Sequence, residues 1–123
     1  MHASVRAALT AAQFDDPEQD GLRHTYLAFL DAAPDGCLRA HAPGHLTASA
    51  LVVDADRTHA LLTLHPRVGK WVQLGGHCEP DDESIEAAAL REALEERARL
   101  QEGERAAREQ AESANRAKSE FLS

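Results

Sequence analysis

The stretch that decides the fold is Gly75–Glu96, GGHCEPDDESIEAAALREALEE. It opens on a glycine pair and closes on Arg91-Glu92 and Glu95-Glu96 within a run of strong helix formers. At helical spacing Glu92, Glu95 and Glu96 stand at i, i+3 and i+4 and share one face. Like charges so placed repel unless something positive gathers them. A divalent metal carrying a polyphosphate is a suitable collector, because hard oxygen ligands suit hard cations.

Working outward, the apolar period changes on either side of this stretch. Upstream, Ala50–Val53 and Ala60–Leu64 predict the two arms of a hairpin around Asp54–Arg57, and Trp71–Leu74 predicts a third strand stopped by Gly75-Gly76. Nearer the N-terminus, Val5, Ala8, Leu9 and Ala12 predict an amphipathic helix over 3–13, broken by the acidic segment around Pro17. A second helix is expected over 21–32, ended by the turn Pro34-Asp35-Gly36. Downstream of Asp82, the expected N-cap, there is no proline and only Gly103 as a weak helix former, so one helix is expected to run to Leu122, about 60 Å.

The chain has 123 residues, 43% hydrophobic and 4% aromatic, with a net charge of −8. This is room for one domain with a modest core. The acidic balance argues against a broad nucleic-acid surface. No apolar run reaches the ~20 residues of a membrane span, and the N-terminus lacks the basic region and apolar stretch of a secretory signal. No membrane association and a cytoplasmic location are therefore expected. Cys37 and Cys78 are expected as free thiols, since two scattered cysteines make neither a disulfide framework nor a CxxC pair.

Charge divides the chain unevenly. Residues 97–123 hold six basic and five acidic side chains, net +1, which leaves 1–96 with seven and sixteen, net −9. The tail also carries a heptad of Ala93, Leu100, Ala107, Ala114 and Phe121, with Leu90 and Ala111 at the companion position; Arg97, Glu104 and Lys118 interrupt that companion seam. A coiled coil and a parallel homodimer through the C-terminal helix are expected, because a lone helix of this length needs a partner.

Residues 75–96 resemble the signature of the Nudix hydrolases: a glycine, five residues, Glu, seven residues, then Arg-Glu, an aliphatic, any residue and Glu-Glu. Glu83, seven residues, Arg91-Glu92, Ala93-Leu94 and Glu95-Glu96 match it. The strand segments from Thr47 to Gly76 resemble those that precede the signature, so the likeness covers 47–96. The implied fold class is α+β: a partial Nudix-like α/β/α sandwich of N-terminal helices, about three strands and the signature helix, continuing into a long C-terminal helix. The expected partition is an N-terminal helical extension (1–46), a Nudix-like core (47–96) and a helical coiled-coil tail (97–123).

Carried onto this sequence, the resemblance implies that Glu92, Glu95, Glu96 and the Gly75 carbonyl hold Mg²⁺ (or Mn²⁺). It implies that Arg91, paired with Glu83, orients the carboxylates, and that Glu92, Glu95, Arg91 and Glu83 form the catalytic set. The implied reaction is metal-dependent pyrophosphohydrolysis of a nucleotide-like small molecule, a nucleoside diphosphate linked to another moiety.

Two departures stand out. Six residues separate Gly76 from Glu83, one more than the pattern, so either the loop holds an insertion or Asp82 takes the acidic position. After Glu-Glu, the family's glycine and aliphatic residue are replaced by Arg97-Ala98-Arg99-Leu100. No strand pattern follows Glu96, which implies a truncated domain of reduced activity. The segment from Ala111 to Ser123 is similar to the helix leading into the dimerisation domain of sensor histidine kinases, but without a phosphoacceptor histidine. The alternative function is accordingly a non-catalytic dimerisation or sensory module.

Other chemistry-bearing residues have plainer expectations. His77, Cys78 and Glu79 lack the second ligand pair of a soft-metal site. Trp71 is expected to anchor the core, His45, next to Gly44, to pack at the surface or in the core rather than to approach substrate, and Arg67 and Lys70 to lie in a loop, within reach of phosphates or simply solvated.

Overall fold

The computed structural model describes all of the chain, Met1–Ser123. The elements follow in the order α1 (His2–Ala11), α2 (Pro17–Ala32), β1 (Thr47–Ala50), β2 (Val52–Val53), β3 (Ala60–Leu61), β4 (Thr63–Leu64), β5 (Trp71–Val72), β6 (Leu74–His77) and α3 (Ile85–Leu122). The architecture is α+β, with N-terminal helices, short antiparallel strands and one long C-terminal helix, as a partial Nudix-like fold requires. The chain forms two compact units, Met1–Ala93 and Leu94–Ser123, and α3 contributes residues to both.

In the first unit, α2 begins four residues earlier than expected. Pro17 does not break α1, which has already ended at Ala11, but starts α2: it occupies the first turn, where no backbone N–H is needed, and the Asp16 carboxylate accepts from Glu18 N at 2.9 Å. The two helices are tied by Arg6 Nε donating to Asp31 Oδ1 (2.8 Å) and by His2 Nε2 donating to the Leu30 carbonyl (2.8 Å). Val5 and Leu30 close over Cys37, with Leu9, Phe29, Leu46 and Ile85 packed around them. Both cysteines are free and buried, as expected. A second small cluster joins Ala48, Cys78 and Ala88, and Met1 and Ile85 touch both clusters. The N-terminal helices thus share a core with the strands and the start of α3.

The strands pair as three two-stranded ribbons, β1 with β6, β2 with β3 and β4 with β5, all antiparallel. The expected hairpin is present, with Val52 opposite Leu61 and Val53 opposite Ala60. Its turn is organised by Asp54, whose carboxylate accepts from Thr58 N (2.8 Å), His59 N (3.2 Å) and His59 Nδ1 (2.8 Å). These bonds, led by that from the His59 ring, hold its carboxyl down at about 2. Each arm is interrupted once, at Leu51 and Leu62, so the runs become four short strands.

Two expectations are corrected here. Gly75-Gly76 does not stop a strand; it lies inside β6, where Ser49 faces Gly75 and Ala48 faces Gly76. The glycines serve close approach, because a Cβ at Gly75 would stand 2.5 Å from the Ala48 carbonyl oxygen and 2.7 Å from Ser49 Cα. Trp71 is not a core anchor; it is 67% exposed, and the apolar centre of this region is the fully buried Leu74.

Helix α3 begins two residues later than an Asp82 cap would place it. Ser84 is the capping residue: its Oγ accepts from Ala87 N (3.1 Å) and its carbonyl from Ala88 N (3.0 Å), while Ser4 Oγ accepts from Ile85 N (3.2 Å). Past the Glu95-Glu96 pair, Arg97-Ala98-Arg99-Leu100 stand in place of the pattern's glycine and aliphatic residue, and the helix runs on to Leu122.

The second unit is helix alone. Its surface is laced by Arg105–Glu109 (2.9 Å) and Arg108–Glu112 (3.2 Å). Of the expected heptad, Leu100 and Phe121 are exposed, whereas Ala93 is buried within the first unit and is not available to a seam between chains. No helix is long and apolar enough to cross a membrane.

Candidate functional site

The organising group of the first unit is the Arg91 guanidinium, on the second turn of α3. It forms a two-point pair with Asp82, Nε to Oδ1 and Nη2 to Oδ2, both 2.9 Å. Nη2 also donates to the His77 carbonyl (3.0 Å) and Nη1 to Glu92 Oε1 (3.1 Å), with Glu79 Oε1 at 3.8 Å. The planar fork suits this: one side chain fastens the loop after β6, the strand end and the carboxylate beside it in sequence. Asp82 is nearly enclosed and also accepts from Glu79 N (2.7 Å). The hydrogen bond from Arg91 is the main cause that holds its carboxyl down at about 2, and the same bond raises the Arg91 pKa further.

The expected pairing of Arg91 with Glu83 is therefore corrected. Asp82 fills the acidic position, at the standard distance from Gly76, and Glu83 lies exposed in the turn before Ser84. The extra residue in the pattern is not a loop insertion between glycine and acid; the partner is simply one residue earlier.

Glu92 lies against the glycine of β6. A Cβ at Gly76 would overlap the Glu92 carboxylate, both oxygens included, so the absent side chain makes the cradle in which that carboxylate sits. Gly75, the expected carbonyl ligand, is exposed in the middle of β6. The His45 and His77 rings stand 5.0 Å apart beside this strand end.

In the second unit Glu95 is exposed. Glu96 is bound by Arg99, Nε to Oε2 at 2.8 Å and Nη2 to Oε1 at 2.5 Å. This contact, from a residue not singled out by sequence, follows from the i, i+3 spacing on an unbroken helix.

In the first unit the donors are hard oxygens, the Glu92 carboxylate cradled at Gly76 and the main chain of exposed Gly75, a chemistry that suits a hard divalent cation. The arrangement is less complete, since no three His, Cys, Asp or Glu side chains converge closely enough to hold a metal ion.

The family model of the NUDIX domain matches residues 43–116, more than half of the chain. The chain belongs to the Nudix family. The match reaches well past the Glu95-Glu96 pair of the Nudix signature, into the segment that resembles a kinase linker by sequence. No curated protein and no solved structure matches the chain. The Nudix assignment carries a hydrolase-type domain in general, and the details of its chemistry rest on the residues described above.

Proposed function

We propose that the chain is a metal-dependent Nudix pyrophosphohydrolase that cleaves the diphosphate bridge of a nucleoside diphosphate linked to another moiety. The observation that carries this is the Asp82–Arg91–Glu92 arrangement against Gly76, within a chain matched by the Nudix model. Such a network fixes a carboxylate beside a strand end and leaves hard oxygen donors on the same helix.

In this reading Glu92, Glu95 and Glu96, with the Gly75 carbonyl, are the residues that would hold Mg²⁺ or Mn²⁺. Such a cation would supply charge neutralisation at phosphate oxygens and a more acidic water. Arg91 is a positioning residue: anchored by Asp82 and the His77 carbonyl, it sets the Glu92 carboxylate by one oxygen. Glu95, exposed on α3, accepts the proton of the attacking water. A new bond forms from that water oxygen to phosphorus, the bridging P–O bond breaks, and two phosphomonoesters result. Glu83, exposed and replaced by Asp82 at Arg91, has no part in this scheme.

The second unit is proposed as a parallel dimerisation helix through Leu100, Ala107, Ala114 and Phe121, the last of which is 89% exposed. A hydrolysis assay with Mg²⁺ over a panel of nucleoside diphosphate derivatives tests the enzymatic reading. Turnover abolished in Glu95→Gln supports it, and a well-folded chain without turnover on any member counts against it.

A further inference from the structure

The β4–β5 ribbon turns through residues 65–70, HPRVGK. Its first residue holds the loop: His65 Nδ1 accepts from Arg67 N (3.2 Å) and Val68 N (3.3 Å), and the His65 carbonyl accepts from Gly69 N (2.8 Å). Gly69, at φ +65°, makes the left-handed step that closes the turn, and His65 N donates to the Lys70 carbonyl (2.9 Å). The cations at 67 and 70 are therefore carried on a fixed backbone.

Charge singles this hairpin out. Residues 57–78 contain Arg57, Arg67 and Lys70 and no aspartate or glutamate, within a stretch, 1–96, whose net charge is −9. The helical arginines of this unit are engaged by carboxylates, Arg6 by Asp31, Arg23 by Asp20 and Arg91 by Asp82. The exposed side chains of Arg67 and Lys70 have no partner within the chain. Beside them the ribbon presents apolar surface. Leu64 stands directly opposite Trp71 in the register, and both are exposed, as is Val68 in the loop. Side chains directly opposite each other lie on one face. An indole that is 67% exposed and a leucine thus make one uncovered apolar platform at the loop end of the ribbon.

We propose that this hairpin is a docking site for a nucleoside diphosphate, with the base stacked on Trp71 and the phosphates met by Arg67 and Lys70. A planar heteroaromatic ring suits an exposed indole, because every base has a π-face and stacking needs no hydrogen-bond register. The unpaired cations select for an anion, the guanidinium by its fork and the ammonium as a point charge. Charge also sets the size of the ligand. The whole chain is −8, so it repels a long polyanion such as a nucleic-acid strand or an anionic bilayer. A small ligand responds chiefly to charges within about 10 Å, the screening length. The site uses neither the Glu92 cradle nor the carboxylates of α3, so it goes beyond the hydrolase reading and is independent of metal.

Trp71 is the chain's one tryptophan, so its emission reports this site alone. The test is titration of the full chain with ADP in the presence of a metal chelator, exciting the indole where adenine does not absorb. Saturable quenching that weakens as sodium chloride is raised is the expected result. Arg67→Gln and Lys70→Gln should each weaken ADP binding about two- to five-fold. Trp71→Ala, followed by equilibrium dialysis of labelled ADP, should weaken it about ten-fold or more. Adenosine and inorganic pyrophosphate, which each carry half of the chemistry, should bind more weakly than ADP. The substituted side chains are exposed, and circular dichroism checks that each variant is folded. Absence of quenching by ADP overturns the proposal, as does ADP binding that survives all three substitutions unchanged. Quenching by a single-stranded oligonucleotide or by phosphatidylserine vesicles, with none by ADP, overturns it in favour of a polyanionic partner. ADP quenching in a chain that hydrolyses no diphosphate leaves the hairpin site standing and removes the hydrolase reading; turnover without quenching does the reverse.

Discussion

The Glu92 carboxylate occupies the space that a side chain at Gly76 would fill. Neighbouring Gly75 is equally confined, but by backbone: the Ala48 carbonyl oxygen and Ser49 Cα lie where its Cβ would go. The two glycines therefore differ in what alanine would do. Gly75→Ala forces β1 and β6 apart and should lower thermal stability. Gly76→Ala meets the far end of a flexible side chain, so the fold should survive while Glu92 is displaced. Thermal melts paired with Mn²⁺ titration separate the cases: the first variant melts early, and the second melts near wild type and binds metal more weakly. A Gly76→Ala chain with unaltered metal affinity would show that the Glu92 cradle has no bearing on the site.

The Asp82–Arg91 pair gives an acid-dependent prediction. The Asp82 carboxyl is lowered from 3.8 to about 2 in the folded chain. A lowered pKa stabilises the fold fully above the unfolded value, and that contribution is lost as pH falls from about 4 to about 2. Asp82→Asn should be less stable than wild type at neutral pH and show a shallower loss over this window. Asp54, also held at about 2, titrates in the same range and keeps part of the acid limb in the variant. Urea melts between pH 2 and 7 check this; parallel curves for the two proteins would contradict it.

How much of this was legible in the chain depends on which residues set each feature. The helix-forming run and the Arg-Glu and Glu-Glu pairs announced α3 and the family, because period and spacing are local properties. The partner of Arg91 was not decidable, since Asp82 and Glu83 are adjacent acids and only the path of the loop after β6 selects between them. The Gly75-Gly76 pair resembled a strand stop because glycine weakens strands; the close approach of β1 that requires it is a tertiary fact. Pro17 carried a usable signal that the sequence reading missed: Asp16-Pro17 fits an N-cap followed by proline in the first turn. Trp71 could not be placed from sequence, because aromatic character says nothing of which face of a two-residue strand is covered.

Gly103 lies within α3, and a Cβ there would meet nothing within 4 Å. Gly103→Ala should stabilise the helix by about 1 kcal/mol. The measurement is the thermal melt followed by helical circular dichroism, with a higher midpoint expected for the tail. No change would indicate that the tail is held by something other than its own helical preference.

The proposed dimer seam predicts a concentration-dependent mass. Phe121 and Leu100 are exposed in the single chain, so Phe121→Glu together with Leu100→Glu should leave the first unit folded and reduce the mass by light scattering to that of a monomer. A wild-type chain that is monomeric at high concentration would rule out the seam.

The core is small, so single truncations should be felt. Leu30 and Leu74 are the largest fully enclosed aliphatic side chains, and Leu30→Ala or Leu74→Ala should each cost about 2–5 kcal/mol. Denaturant melts would show this as an early midpoint, whereas Leu64→Ala, at an exposed strand position, should change it little.

The most direct test of the hydrolase assignment is phosphorus-31 resonance of a nucleoside diphosphate derivative incubated with the full chain and Mg²⁺. Loss of the diphosphate signals, growth of two phosphomonoester signals, and abolition of both changes in Glu95→Gln are the predicted result. Persistent diphosphate signals across the substrate panel, with wild-type protein that is folded and binds Mn²⁺, would contradict it.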